Sequence, residues 1–232
     1  MAQAPVAHLP LRRATDLASP PAAAGHWNLA ALRGRLAELV GGPDSANVTL
    51  AVRLILEAQQ AGEFAAWVAT HRDAFFPPDV AAAGVDPGAL PVVWALPAPG
   101  EKPGAGEPRA RRPATGQGGR PAREASRAAE RLLRSGAFGL IVIDLARDLS
   151  LSPVSQGRLL RLAEHHDALL LILRRKRRDA RYSGSLVTVR AESSRERIGP
   201  GRFRATITNT KDKREGPGWT TSEEFDGPPG LY

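Results

Sequence analysis

Leu32-Arg33-Gly34-Arg35-Leu36-Ala37-Glu38-Leu39-Val40-Gly41-Gly42-Pro43-Asp44-Ser45-Ala46-Asn47-Val48-Thr49 is the stretch on which the fold turns. A short apolar segment enters a turn rich in Gly, Pro, Asp and Ser, and a helical pattern then runs to about Ala61. Strand, turn and helix in that order make a phosphate-binding loop, in which backbone N–H groups at a helix N-terminus face an anion. That motif is written G-x-x-x-x-G-K-[ST]. Here the second glycine is missing, and Asn47 or Val48 stands in place of the lysine, depending on a one-residue slip. The same slip puts Val48 or Thr49 at the position of the hydroxyl that would hold Mg²⁺. The expected loop keeps the shape of an anion site and lacks its main cation.

Outward from the loop, Val48, Val52, Ile55 and Leu56 form an apolar stripe at helical spacing, closed by Gly62. Residues 64–69 predict a strand, His71-Arg72-Asp73 a turn, 77–83 a short helix opened by proline, and 90–95 another strand. Residues 97–123 are dense in Pro and Gly and carry Arg109, Arg111, Arg112, Arg120 and Arg123. Proline aside, they hold no apolar side chain larger than alanine, so burial cannot offset their ordering entropy and a disordered basic insertion is expected. A solvated surface insertion is the plainer expectation, and a basic arm sampling nucleic-acid phosphates the sharper one.

Beyond it, 124–134 predict a helix ended by Gly136, and 138–144 a buried strand closing on Asp144. Residues 154–166 read as helix and 168–173 as the next buried strand, followed at once by Arg174-Arg175-Lys176-Arg177-Arg178. Segments 185–191, 202–209 and 222–225 alternate like half-exposed strands. The fold class expected is α/β: a twisted, mainly parallel sheet flanked by helices, with C-terminal antiparallel strands. One core domain over 28–226 is expected between a flexible tail of 1–27 and a short tail of 227–232.

With 42% apolar residues in a chain of 232, one sizeable core is affordable, while 23 Gly and 20 Pro imply much irregular backbone. The sequence has no cysteine, which excludes disulfide and thiolate chemistry and suits the cytoplasm. No apolar run approaches the roughly 20 residues that span a bilayer, so no membrane partner is expected. Residues 1–25 lack the long apolar segment of a secretory signal. A net charge of +8, from 32 Lys+Arg against 24 Asp+Glu, makes polyanions plausible partners.

In this order the elements resemble the RecA recombinase core and, more narrowly, the ImuA family of accessory proteins in bacterial mutagenic repair. Residues 34–41 resemble the strand entering the recombinase loop, and Pro43-Asp44-Ser45 the loop itself. Residues 56–62 resemble the end of the helix that follows. Residues 133–137 with Ile141-Val142-Ile143-Asp144 resemble the approach to the second nucleotide motif and its carboxylate. Lys211-Asp212-Lys213 and Glu224-Phe225-Asp226 fall where the family has a Lys-x-Lys pair and a late strand. The resemblance implies a nucleotide site at Gly41, Gly42, Asp44, Ser45, Asn47, Thr49 and Asp144, and implies that it is degenerate. A lysine on the β- and γ-phosphates supplies charge-assisted bonds of about 1.5–3 kcal/mol each, and neither Asn47 nor Val48 replaces it. The water-activating carboxylate should fall near residues 70–72, where no Glu stands, and Arg174-Arg175 replace a phosphate-sensing glutamine.

No catalytic residue, cofactor or metal is therefore expected, with ATP and Mg²⁺ the ligands in question. The family's first DNA loop is shortened to 145–153, and the basic run to Arg181 replaces the second. For Arg174, Arg175, Lys176, Arg177 and Arg178 a solvated turn competes with phosphate contact lacking base readout, since no aromatic stands beside them. The family's Lys-x-Lys pair reaches across a protomer interface, which makes Lys211 and Lys213 interface candidates. His165-His166 is expected to be a helix-end pair, and Trp219 and Phe225 to pack on the sheet. Implied partners are ImuB (an inactive Y-family polymerase), an error-prone C-family polymerase and RecA, with non-specific DNA contact at the nucleoid. An ATP-binding or DNA-dependent ATPase switch of the same fold, and a generic basic nucleic-acid binder, are the alternatives.

Overall fold

Runs of small and branched apolar residues in the chain's centre build strands that are covered on both faces, as parallel sheets require. The computed structural model describes residues 26–42, 44–96, 119–146, 149–175 and 185–227. In chain order the elements are α1 (Leu29–Leu32), β1 (Leu36–Gly41), α2 (Asn47–Gln60), β2 (Phe64–Ala69), α3 (Pro77–Ala82), β3 (Val92–Trp94) and α4 (Arg120–Arg134). There follow β4 (Phe138–Asp144), α5 (Pro153–His165), β5 (Leu169–Arg175), β6 (Val189–Gly199), β7 (Arg202–Asp212) and β8 (Thr220–Asp226). The eight strands form one sheet in the order β3-β2-β4-β5-β1-β6-β7-β8. All pairings from β3 to β6 are parallel, and β7 alone runs against its neighbours β6 and β8. The chain is thus α/β with a mostly parallel central sheet and an antiparallel flank at its C-terminal end.

Alternation along the strands divides the core between two faces. Ala37, Leu39, Trp67, Leu171 and Leu173 pack with α1 and α2 on one side. Leu36, Ile141, Ile143, Leu170 and Ile172 pack with α4 and α5 on the other. Trp67, fully buried, meets the ring of Phe75 at 5.8 Å.

Several sequence expectations need correction. Val48, assigned to the apolar stripe of α2, is 49% exposed, whereas Val52 and Ile55 of that stripe are buried together with Asn47, Leu50, Leu54 and Ala58. Asn47 takes the first inward position, and one residue later the helix has rotated about 100°, carrying Val48 outward. Residues 97–118 lie outside the described residues, but Arg120 and Arg123, assigned to the disordered insertion, belong to α4. Pro121 starts that helix with its φ already helical, and its missing N–H costs nothing there. Ala122, Ala125 and Ala129 then let α4 sit close to the sheet, with Leu133 completing the line.

The core also begins before residue 28. His26 stacks on Trp219 with ring centroids 5.3 Å apart, and Trp27 packs against the core beside the same indole. Trp219 and Phe225 pack on the sheet as expected, Phe225 stacking on Phe203 at 5.7 Å. The last three strands extend further than the alternation implied, to 11, 11 and 7 residues.

Candidate functional site

In open α/β sheets, ligands bind outside the carboxyl ends of the strands where crossover connections change face. That point lies here between β1, whose following helix α2 covers one face, and β4 and β5, served by α4 and α5 on the other. A cleft of about 230 Å³ opens there, lined among others by Gly42, Ser45, Asn47, Val48, His71, Asp144 and Arg175. This is below the roughly 300–1,000 Å³ of small-molecule sites.

The loop after β1 is closed by its own side chains. A methyl group at Gly41 would lie 2.6 Å from Ser45 Oγ and closer still to Ser45 Cβ, so Ser45 occupies the space above the strand end. The Ala46 N–H donates to Ser193 Oγ on β6 at 3.2 Å. Asn47 turns inward: its Nδ2 donates to the carbonyls of Leu39 at 3.3 Å and Arg174 at 3.0 Å. Its Oδ1 accepts from the Ser193 hydroxyl at 2.6 Å. One amide thus ties α2 to β1, β5 and β6, and it is 6% exposed.

The strand ends at Gly41 and the helix begins at Asn47. Thr49, expected to be a ligand, does not line the cleft, and neither does the exposed Asp44. Gly41 lies beneath Ser45 and is buried.

Asp144, expected to be a lone acid, has a partner. His71 Nε2 lies 3.2 Å from its Oδ1, and the residue is 8% exposed. Thr70 supports the pair: its N–H and Oγ1 donate to the Asp144 carbonyl at 3.1 and 3.0 Å, and its Oγ1 accepts from Ala146 N at 2.7 Å. Sequence reasoning missed His71. Its signal was its place two residues past the end of β2, on the same strand-end edge as Asp144. The pair can hold a polar ligand by imidazole and carboxylate together, but no group of three or more His, Cys, Asp or Glu suited to a metal occurs among the described residues.

Arg174 and Arg175 are strand residues of β5 and not part of a solvated turn. Pairing with β1 sets Arg174 opposite Val40, and its guanidinium reaches the buried Glu38 at 3.0 Å. Arg190 binds the other oxygen of Glu38 at 2.5 Å. Arg175 stands exposed at the cleft's rim, with no ion-pair partner among the described residues. Lys176, Arg177 and Arg178 lie outside the described residues.

Lys211 and Lys213 do not join the cleft. β7 meets β6 with Asp212 opposite Val189, and Val189 pairs with Ala37 near the start of β1, at the far end from Gly42. Lys211 Nζ donates to the Ser185 carbonyl at 3.2 Å. Its pKa is lowered, first by partial desolvation and then by Lys213 and Arg190, with Glu38 opposing. The rings of His165 and His166 meet edge to face at 4.7 Å at the end of α5, and Ser155 is engaged by the capping hydroxyl of Ser152.

No family model matches this sequence, and no curated protein matches it either. Among the described residues no helix is long and apolar enough to cross a membrane.

Proposed function

We propose that this chain is a catalytically silent, RecA-like accessory protein of the ImuA kind, acting through protein contacts in damage-induced translesion synthesis. The buried Asn47 amide carries the proposal. At the position where a nucleotide-hydrolysing loop presents a lysine, the side chain points into the protein and holds three strands together. Ser45 over Gly41 and the methyls of Val48 remove two further requirements of a Mg-nucleotide site. A mainly parallel sheet with its cleft at the strand ends agrees with the α/β core that the resemblance implies.

The partners this implies are an ImuB-type inactive Y-family polymerase, an error-prone C-family polymerase and RecA, with DNA touched only non-specifically. Purified ImuB and RecA presented to the immobilised chain test it: retention of at least one supports the proposal, and retention of neither overturns it.

One observation favours a second reading, an ATP-binding switch of the same fold. Arg175 is an exposed cation at the rim of the cleft. Titration with a fluorescent ATP analogue and Mg²⁺ separates the two. The silent protein shows no saturation in the micromolar range, whereas micromolar binding lost in Arg175→Ala selects the switch.

A further inference from the structure

A second concavity lies away from the strand-end cleft, on the outer surface of α4 and α5, and shares no residue with it. The two helices pack side by side, and a groove of about 420 Å³ runs between them. Arg134, Arg158, Arg161 and His165 surround it, Leu162 forms its apolar part, and Glu130 is its one acid. Glu130 is already engaged by Arg134 at 2.7 Å, one helical turn away. Arg158 and Arg161 have no carboxylate partner among the described residues, although salt bridges hold many of the chain's other arginines.

Part of this charge has a local reason. Arg131, Arg134 and His165 stand in the last turns of their helices, where the dipole favours cations. Arg158 does not, because it sits in the middle of α5. Val154, Arg158, Arg161 and His165, spaced four, three and four residues apart, form one exposed line along the helix. Like charges aligned at that spacing repel one another, and a bound anion relieves the repulsion.

We infer that this groove is a docking site for an acidic segment of a partner protein, with carboxylates meeting Arg158 and Arg161 and an apolar side chain on Leu162. Charge complementarity selects an acidic occupant. The apolar floor selects a peptide over nucleic acid, since no Trp, Tyr or Phe lines the groove to stack bases. Residues 1–25 hold a single acid, Asp16, and 97–118 carry more arginine and lysine than glutamate, so neither stretch has the composition of that occupant. The inference stands apart from the nucleotide-loop reading.

The test uses the full chain and fluorescence anisotropy with three labelled probes. These are a peptide with Glu and Asp at helical spacing around leucines, the same peptide with every acid changed to its amide, and an oligothymidylate. The acidic peptide binds, with affinity falling as salt rises, and the amide peptide does not. Arg158→Glu/Arg161→Glu weakens acidic-peptide binding by about tenfold or more, since two charge-assisted contacts become repulsive. Arg195→Glu/Arg197→Glu, the same charge change at the β6–β7 end beyond the last residue of β1, shifts it by less than about twofold. The milder Arg158→Gln/Arg161→Gln gives an intermediate loss and guards against misfolding of the charge reversal. Equal loss in the two reversed variants, equal binding of the amide peptide, or oligothymidylate binding through Arg158 and Arg161 in place of the peptide overturns the inference. So does the absence of any peptide binding.

Discussion

Removing the Asn47 amide strips two donors and one acceptor from the junction of β1, β5 and β6. Buried hydrogen bonds contribute about 1 kcal/mol each, and a partner left unsatisfied costs more, so Asn47→Ala should lose about 2–4 kcal/mol of stability. Urea unfolding of the variant measures this, and a loss below about 1 kcal/mol would mean that the amide does not hold the junction. The sequence offered Asn47 or Val48 for the lysine's place and could not say where the Asn47 side chain points. That direction is set by Ser193, a contact 146 positions away with no local signal. The same holds for His71 beside Asp144, a pairing across 73 positions that only the sheet order brings about.

Among the elements, the loop between β1 and α2 has the least room. Gly41 is required there for space and not for an unusual backbone angle, because Ser45 folds over its Cα. Gly41→Ala should cost about 1–3 kcal/mol by overpacking, and Ser45→Gly in the same chain should recover most of it, because the obstructing atoms are the Ser45 side chain. A double-mutant cycle in urea measures that coupling, and additive losses would place the strain elsewhere. Element boundaries were legible where burial is two-sided. β2 and β4 start and end where their apolar runs do, at Phe64–Ala69 and Phe138–Asp144. They were not legible where charge or low complexity hides a regular element. β5 continues through Arg174 and Arg175 because Glu38 on the neighbouring strand receives the first of them. The start of α4 is written in alanines and one proline, which resemble the preceding low-complexity sequence more than a helix.

At the scale of the whole molecule, an early and a late part of the chain are joined by a buried ion pair. Arg35, at the entry to β1, binds Asp212 at the end of β7, 177 positions away, and both side chains are almost wholly shielded. Burial pushes the Asp212 carboxyl up. The hydrogen bond from Arg35, the N–H groups of Arg214 and Glu215 and the charge of Arg35 outweigh it and hold the pKa below the ordinary carboxylate value. A depressed folded-state pKa adds stability that is complete above the unfolded value of about 3.9 and disappears as pH falls through the folded value. Asp212→Asn leaves the Arg35 cation buried without its counter-charge, a change that costs about 3–5 kcal/mol. The stability gap between the wild-type chain and Asp212→Asn should therefore be full above about pH 4 and narrow as the pH falls further, in urea titrations repeated across that range. Arg35→Met/Asp212→Leu, which removes both charges, should regain most of the loss at neutral pH, because the desolvation of two ions disappears with their attraction. A gap that stayed constant down to pH 2 would show that Asp212 contributes by shape alone and that the closure between β1 and β7 is not electrostatic.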